Sequence, residues 1–167
     1  MTQHTMAGRT PSVLVSERAA APESAVRLVG ALLAVAVAAV HVADQGGVTA
    51  LAAPAWIGWG YRLVEGGGLL TAAALLLPGL SRPGPVRLRS VPLGPAWLGP
   101  ASAGWVAGVL LGAGPFTGYV ASRTVGVPGD PGDVGNWGYW LGTVSLLIEA
   151  AMVLLSVSML RAARQGR

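Results

Sequence analysis

Apolar residues along this chain fall into four long runs, separated by stretches rich in glycine, proline and charge. The first run covers residues 24–43, with the core LVGALLAVAVAAV from Leu28 to Val40, bounded by Glu23 and Arg27 at one end and by Asp44 and Gln45 at the other. About 20 residues in a helix cover a hydrocarbon layer of about 30 Å, so this run predicts a membrane span. The second run, residues 56–77, stops at Pro78 and Gly79 and carries Arg62, Glu65 and the successive glycines Gly66, Gly67 and Gly68. Glycine is common in membrane helices because it lets helices approach closely, so a span with a bend at the glycines is expected. The third run, residues 100–123, contains Gly108, Gly112, Gly114 and Pro115. Proline lacks an amide hydrogen and clashes with the preceding turn, so a kink is expected there. The fourth run, residues 137–160, ends in RAARQGR. A barrel strand needs only about ten alternating residues, whereas these runs are longer and uniformly apolar, so strands are not expected.

The connectors read as loops. Gly46 to Ala55 holds a glycine pair and Pro54, Ser81 to Pro95 is crowded with proline and arginine, and Thr124 to Asn136 is almost all turn-forming residues. The fold class expected is an all-α integral membrane protein, a four-transmembrane-helix antiparallel bundle with both termini cytoplasmic. Residues 1–22 are expected to be a disordered cytoplasmic tail, residues 23–161 one membrane domain, and residues 162–167 a second tail. Met1 to Ala20 are polar and hold no long apolar stretch, so no signal peptide is expected.

Composition changes the picture only by confirming that water is not the solvent. Hydrophobic residues are 53% of the chain and charged residues 11%, against roughly a quarter charged in soluble domains. A net charge of +4 raises nucleic acid as a partner. The basic residues, however, sit at the ends of apolar runs and form no stripe interleaved with aromatics, so no nucleic acid is expected. Every one of the 11 basic residues is arginine, and arginine beside abundant alanine and glycine fits a high-GC bacterial genome. With the N-terminus inside, Arg9, Arg18, Arg27, Arg82, Arg87, Arg89, Arg161, Arg164 and Arg167 are cytoplasmic, and only Arg62 and Arg123 are on the other side. That asymmetry predicts a multi-pass protein of the bacterial inner membrane with the loops at 46–55 and 124–136 outside. Trp56, Trp59, Tyr61, Trp137, Tyr139 and Trp140 cluster near the outer ends of the second and fourth runs, as amphipathic rings do when they anchor at headgroup level or line an entrance from that side, while Trp97 and Trp105 lie near the inner end of the third.

Candidate chemistry lies in the polar residues inside the runs. Glu65 and Glu149 fall well inside the second and fourth, and a charged group there costs on the order of 3 kcal/mol unless it turns inward to a partner. His41 is near the outer end of the first run, Arg62 is one turn from Glu65, and Arg123 is one turn from Tyr119 at the outer end of the third. If all point inward, His41, Arg62, Glu65, Tyr119, Arg123 and Glu149 form one ligand- or ion-binding site in the outer half of the bundle. Histidine with two carboxylates suits a divalent metal, which makes His41, Glu65 and Glu149 the candidate metal ligands. Two nearby glutamates also share a proton readily, and an arginine among them neutralises one of them or holds an anion. The competing reading has the arginines compensating the glutamates as internal ion pairs.

Other chemistries are poorly served. The chain has no cysteine, which removes thiolate metal sites and cysteine nucleophiles. A bis-histidine haem needs a second intramembrane histidine; a haem on His41 alone, or assisted by Met152 or Met159, stays open, and no cofactor is identified. There is no Walker, dinucleotide or HExxH signature. The DPGD turn at Asp130 to Asp133 reads as a hydrated loop rather than a calcium site. The function expected is a small membrane protein that binds an ion, a proton or a small ligand, acting in transport as a carrier or as the membrane subunit of a transport or redox system. The alternative is a non-catalytic assembly subunit. An enzyme using His41, Glu65 and Glu149 as acid and base lacks any supporting motif. The partners expected are membrane lipid and either further copies, as a homo-oligomer, or a larger membrane complex.

Overall fold

The structure, a computed structural model, describes residues 11–52, 54–77 and 100–165, with side chains from Glu23 onward except at residues 100 and 101. The described residues form four long helices, α1 (Pro11–Asp44), α2 (Ala55–Leu76), α3 (Pro100–Thr124) and α4 (Trp140–Gln165), plus a 3-10 turn at Pro131–Asp133. They contain no strand. Helices 1, 3 and 4 each hold a stretch long and apolar enough to cross a membrane, at Glu23–Asp44, Ser102–Thr124 and Trp140–Gln165. This is a multi-pass membrane protein. Helix α2, of 22 residues, is not among those three helices and carries Arg62 and Glu65 within its length.

The distribution of side chains is inverted relative to a protein in water. Leu63, Leu70, Leu110 and Leu154 are about three-quarters exposed, while Glu149 is 1% and Ser156 0% exposed. Leucine outside with glutamate and serine inside is stable only where hydrocarbon surrounds the bundle.

Around the bundle, α1 packs on α2 and α4, and α3 packs on α4 and α2. The core joins Ala31, Ala34 and Val37 of α1 to Ala72 and Leu75 of α2, Trp105 and Leu111 of α3 and Met152 of α4. Small residues set the approach distances. A Cβ at Gly68 would lie 2.7 Å from the Ala34 carbonyl oxygen, and one at Gly112 would lie 2.6 Å from that of Glu149. Helix α2 continues through Gly66–Gly68, and of these glycines it is Gly68 that seats α1.

At the end where α1 and α3 finish, the loops interlock. Gly46 and Gly47 take positive φ (89° and 123°) as α1 terminates, a conformation that glycine adopts without strain. Trp56 Nε1 at the start of α2 donates to the Pro128 carbonyl (3.1 Å) beyond α3, and the Tyr139 hydroxyl ahead of α4 donates to Asp44 Oδ1 (2.6 Å) at the end of α1. The start of α2 and the start of α4 thus lie at the same end as the finish of α1 and the finish of α3, which is an antiparallel bundle.

Several boundaries differ from the sequence reading. Helix α1 extends back to Pro11, into the segment expected to be a tail, because nothing in residues 11–23 except Pro22 opposes helix formation. Helix α4 begins at Trp140, so Trp137 and Tyr139 stand in the turn before it, where Gly138 interrupts the run. Helix α3, by contrast, runs through Pro115 with almost the bounds expected. Residues 1–10 and the Ser81–Pro95 loop with its arginines lie outside the described residues.

Candidate functional site

A cavity of about 520 Å³ lies in the half of the bundle where α1 and α3 finish, between the interlocked loops and the middle of the helices. Helix α3 contributes space rather than bulk to it: Gly114, Pro115 and Gly118 line the cavity, and neither Gly114 nor Gly118 has a neighbour that a Cβ would meet. On the opposite walls, Val40 and His41 come from α1, Ile57, Gly60, Tyr61 and Val64 from α2, and Leu141, Gly142, Ser145 and Glu149 from α4.

Glu149 and His41 meet on this wall. His41 Nδ1–H donates to the Val37 carbonyl one turn back (2.8 Å), which orients the ring and leaves Nε2 facing Glu149 Oε1 at 3.6 Å. A carbonyl only accepts, so Nδ1 carries a hydrogen. Facing Nε2 and a carboxylate attract only when a proton resides on one of them. Ser145 donates to the same Glu149 oxygen. The other oxygen, Oε2, is buried and has no hydrogen-bond partner, although buried polar atoms are normally satisfied.

Asp44 sits above this pair and accepts from two phenols, Tyr61 of α2 and Tyr139 ahead of α4. Tyr139 lies outside the spanning segment. The Asp44 carboxylate, with burial second, pushes its phenol up to about 12, so it stays a hydrogen-bond donor through the physiological range. The Tyr61 ring stands 5.4 Å from the His41 ring. Across the cavity, buried Arg123 pairs with Asp133 of the 3-10 turn, and its guanidinium lies over the Tyr119 ring, 4.5 Å from the centroid. Tyr119 in turn fills the notch left by Gly142, where any Cβ would collide with the ring.

The six residues expected from the sequence therefore do not form one site. His41, Tyr119, Arg123 and Glu149 line the cavity. Arg62 and Glu65 do not. They form a separate tie in which Arg62 Nη1 donates to Glu65 Oε2 (2.6 Å), Arg62 also reaches the Ala50 carbonyl, and Gln45 donates to the remaining Glu65 oxygen. Their face of α2 turns toward the connector after α1. Arg62→Ala is expected to destabilise the protein by about 1–2 kcal/mol in detergent unfolding, because Glu65 and a loop carbonyl lose donors, while leaving the cavity intact. With Glu65 engaged elsewhere, the expected metal trio does not assemble, and among the described residues no group of three His, Asp or Glu side chains is close enough to hold a metal ion. Met152, one turn from Glu149, is core packing. Sequence reasoning missed Asp44, Ser145 and Asp133, and left Tyr61 and Tyr139 open between interfacial anchors and the lining of an entrance; both line the cavity. No protein-family model, curated protein or solved structure matches this chain.

Proposed function

We propose that this chain is a four-span protein of the bacterial inner membrane whose outward-facing cavity binds a small ligand and holds a proton, working as a carrier or as the membrane subunit of a transport or redox assembly. The observation that carries this reading is Glu149: a 1% exposed carboxyl, facing a histidine at 3.6 Å, with one oxygen bare beside a cavity of about 520 Å³. A purely structural carboxyl in hydrocarbon would have its lone pairs answered, as those of Glu65 are.

Antiparallel packing supports α2 as the fourth span. Leu75 near its inner end reaches the same depth as Gly30 of α1 and Gly104 of α3, and those two helices are apolar enough to cross the bilayer. Because the chain has no cysteine, single cysteines report topology cleanly. Val48→Cys, exposed in the first outer loop, and Val134→Cys, in the second, are both expected to react with an impermeant maleimide from outside intact cells, and Ala163→Cys only after permeabilisation. A three-span chain would label Val48→Cys but protect Val134→Cys. A complete carrier with so few spans calls for a second copy or a partner.

Glu149→Gln tests the site with the proton as probe. Folded yield is expected to stay near wild type, while the purified protein takes up about one proton fewer across an acid titration. The ties Arg62–Glu65 and Arg123–Asp133 favour the second reading, a packing subunit, and collapse of folded yield in Glu149→Gln would support it.

A further inference from the structure

We propose that the cavity binds a small primary or secondary ammonium compound with an apolar body, whose N–H groups donate to Glu149 in place of the proton held between Glu149 and His41. This rests on the cavity reading above and names its ligand class.

Charge is the first argument. The chain as a whole is basic at +4, yet four carboxylates, Asp44, Asp130, Asp133 and Glu149, line this cavity against a single arginine. Arg123 has its charge met by Asp133 and is stacked on Tyr119, so although its Nε lacks a hydrogen-bond partner it adds no uncompensated positive charge to the cavity. In a low-dielectric pocket the surplus negative charge favours a cation.

The walls select which cation. Trp56, Tyr61, Tyr119 and Tyr139 present aromatic rings and Val40, Ile57 and Leu141 apolar surface, which suits an organic ammonium and is wasted on a bare ion. A divalent metal finds no third ligand among the described residues. Glu149 Oε2 requires a donor, which an N–H group supplies and a quaternary ammonium does not. The volume of about 520 Å³ falls in the usual range for small-molecule sites.

Exchange follows from the geometry of the pair. Ser145 on its own helix and His41 on α1 meet Glu149 directly; the other charged or titratable groups of the cavity are Asp44 on α1, Tyr61 on α2, Tyr119 and Arg123 on α3, Asp130 and Asp133 after it, and Tyr139 ahead of α4. Asp44 is occupied by two phenols and Arg123 by Asp133, which leaves His41–Glu149 as the pair that gives up a proton. An arriving R–NH3+ keeps its own hydrogens and donates one to the Glu149 carboxylate, which lines the cavity. The proton of the pair then leaves to bulk water, one cation replacing another with no covalent bond to carbon formed or broken.

The test is calorimetric titration of the full chain in detergent with three probes of similar shape: phenethylammonium, 2-phenylethanol and phenylacetate. Phenethylammonium is expected to bind about tenfold tighter than the other two, the worth of a charge-assisted hydrogen bond, and to release close to one proton, read from the dependence of the heat on buffer ionisation. Glu149→Gln is expected to remove the preference and the proton release while keeping the affinity for 2-phenylethanol. Gly118→Leu, which fills the cavity where a Cβ meets nothing, is expected to weaken all three. If the alcohol or the carboxylate binds wild type as tightly as the ammonium, the cation assignment falls and the cavity reading stands. If no probe binds, or if Gly118→Leu leaves every affinity unchanged because the probes only enter micelles, both readings fall.

Discussion

Gly112→Ala is expected to destabilise the bundle by about 2–3 kcal/mol, the upper part of the range for forcing extra carbon into a packed interface. A Cβ at this position would stand 2.6 Å from the Glu149 carbonyl oxygen and 2.8 Å from Val153 Cγ2. The first of these is helix backbone and cannot rotate away, so α3 and α4 must separate. Gly108, one turn earlier on the same face, faces the Ser156 side chain and the flexible end of Met152 instead. Gly108→Ala is accordingly expected to cost less, about 1 kcal/mol, because methionine repacks readily. Gly66→Ala, where a Cβ meets nothing, serves as the control and is expected to be neutral or slightly stabilising. Thermal unfolding of the three variants in one detergent checks the order. Since Glu149 is the residue whose backbone is struck, Gly112→Ala is also expected to disturb the His41–Glu149 pair, which a change in proton uptake would reveal.

The parts of this molecule that were legible in the sequence are those fixed by local rules. Apolar runs of about 20 residues announce spans whatever surrounds them, and α1, α3 and α4 follow directly. Helix α2 is weaker on the same measure because it carries Arg62, Glu65 and a run of glycines, of which Gly68 packs against α1. The Arg62–Glu65 tie was readable from its i, i+3 spacing. Glu149 and His41 stood out because membrane burial penalises them. Partners drawn from loops were not readable. Asp133 belongs to a turn-rich segment without periodicity, and only the 3-10 turn at Pro131–Asp133 brings it to Arg123. Asp44 is an ordinary polar residue at a helix end until Tyr61 and Tyr139 are brought beside it by tertiary packing. The expectation of one convergent site failed at Glu65 for the same reason: depth was countable along the chain, but the direction of its face was not.

Asp44→Ala is expected to destabilise the loop-capped end of the bundle by about 2–4 kcal/mol, because one carboxylate is the acceptor for two hydroxyls and charge-assisted hydrogen bonds contribute about 1.5–3 kcal/mol each before losses to solvent. Tyr61 and Tyr139 come from α2 and from the segment ahead of α4, so the single substitution disconnects α1 from both. Tyr61→Phe and Tyr139→Phe are each expected to cost about half as much, and in the Asp44→Ala background to cost almost nothing, since the bonds they would break are already gone. Alkaline titration gives an independent check. With its pKa pushed from 10.0 to about 12 by Asp44 and burial, Tyr139 binds its proton more tightly folded than unfolded. Its contribution is therefore complete below about pH 10 and is lost as pH rises toward 12. Wild type should lose stability across that window, Tyr139→Phe should lose less, and Asp44→Asn should bring the phenolate absorbance of Tyr139 in at lower pH. An unchanged phenolate titration in Asp44→Asn would mean that Asp44 does not hold the Tyr139 hydrogen, and the three-way junction above the cavity would have to be abandoned.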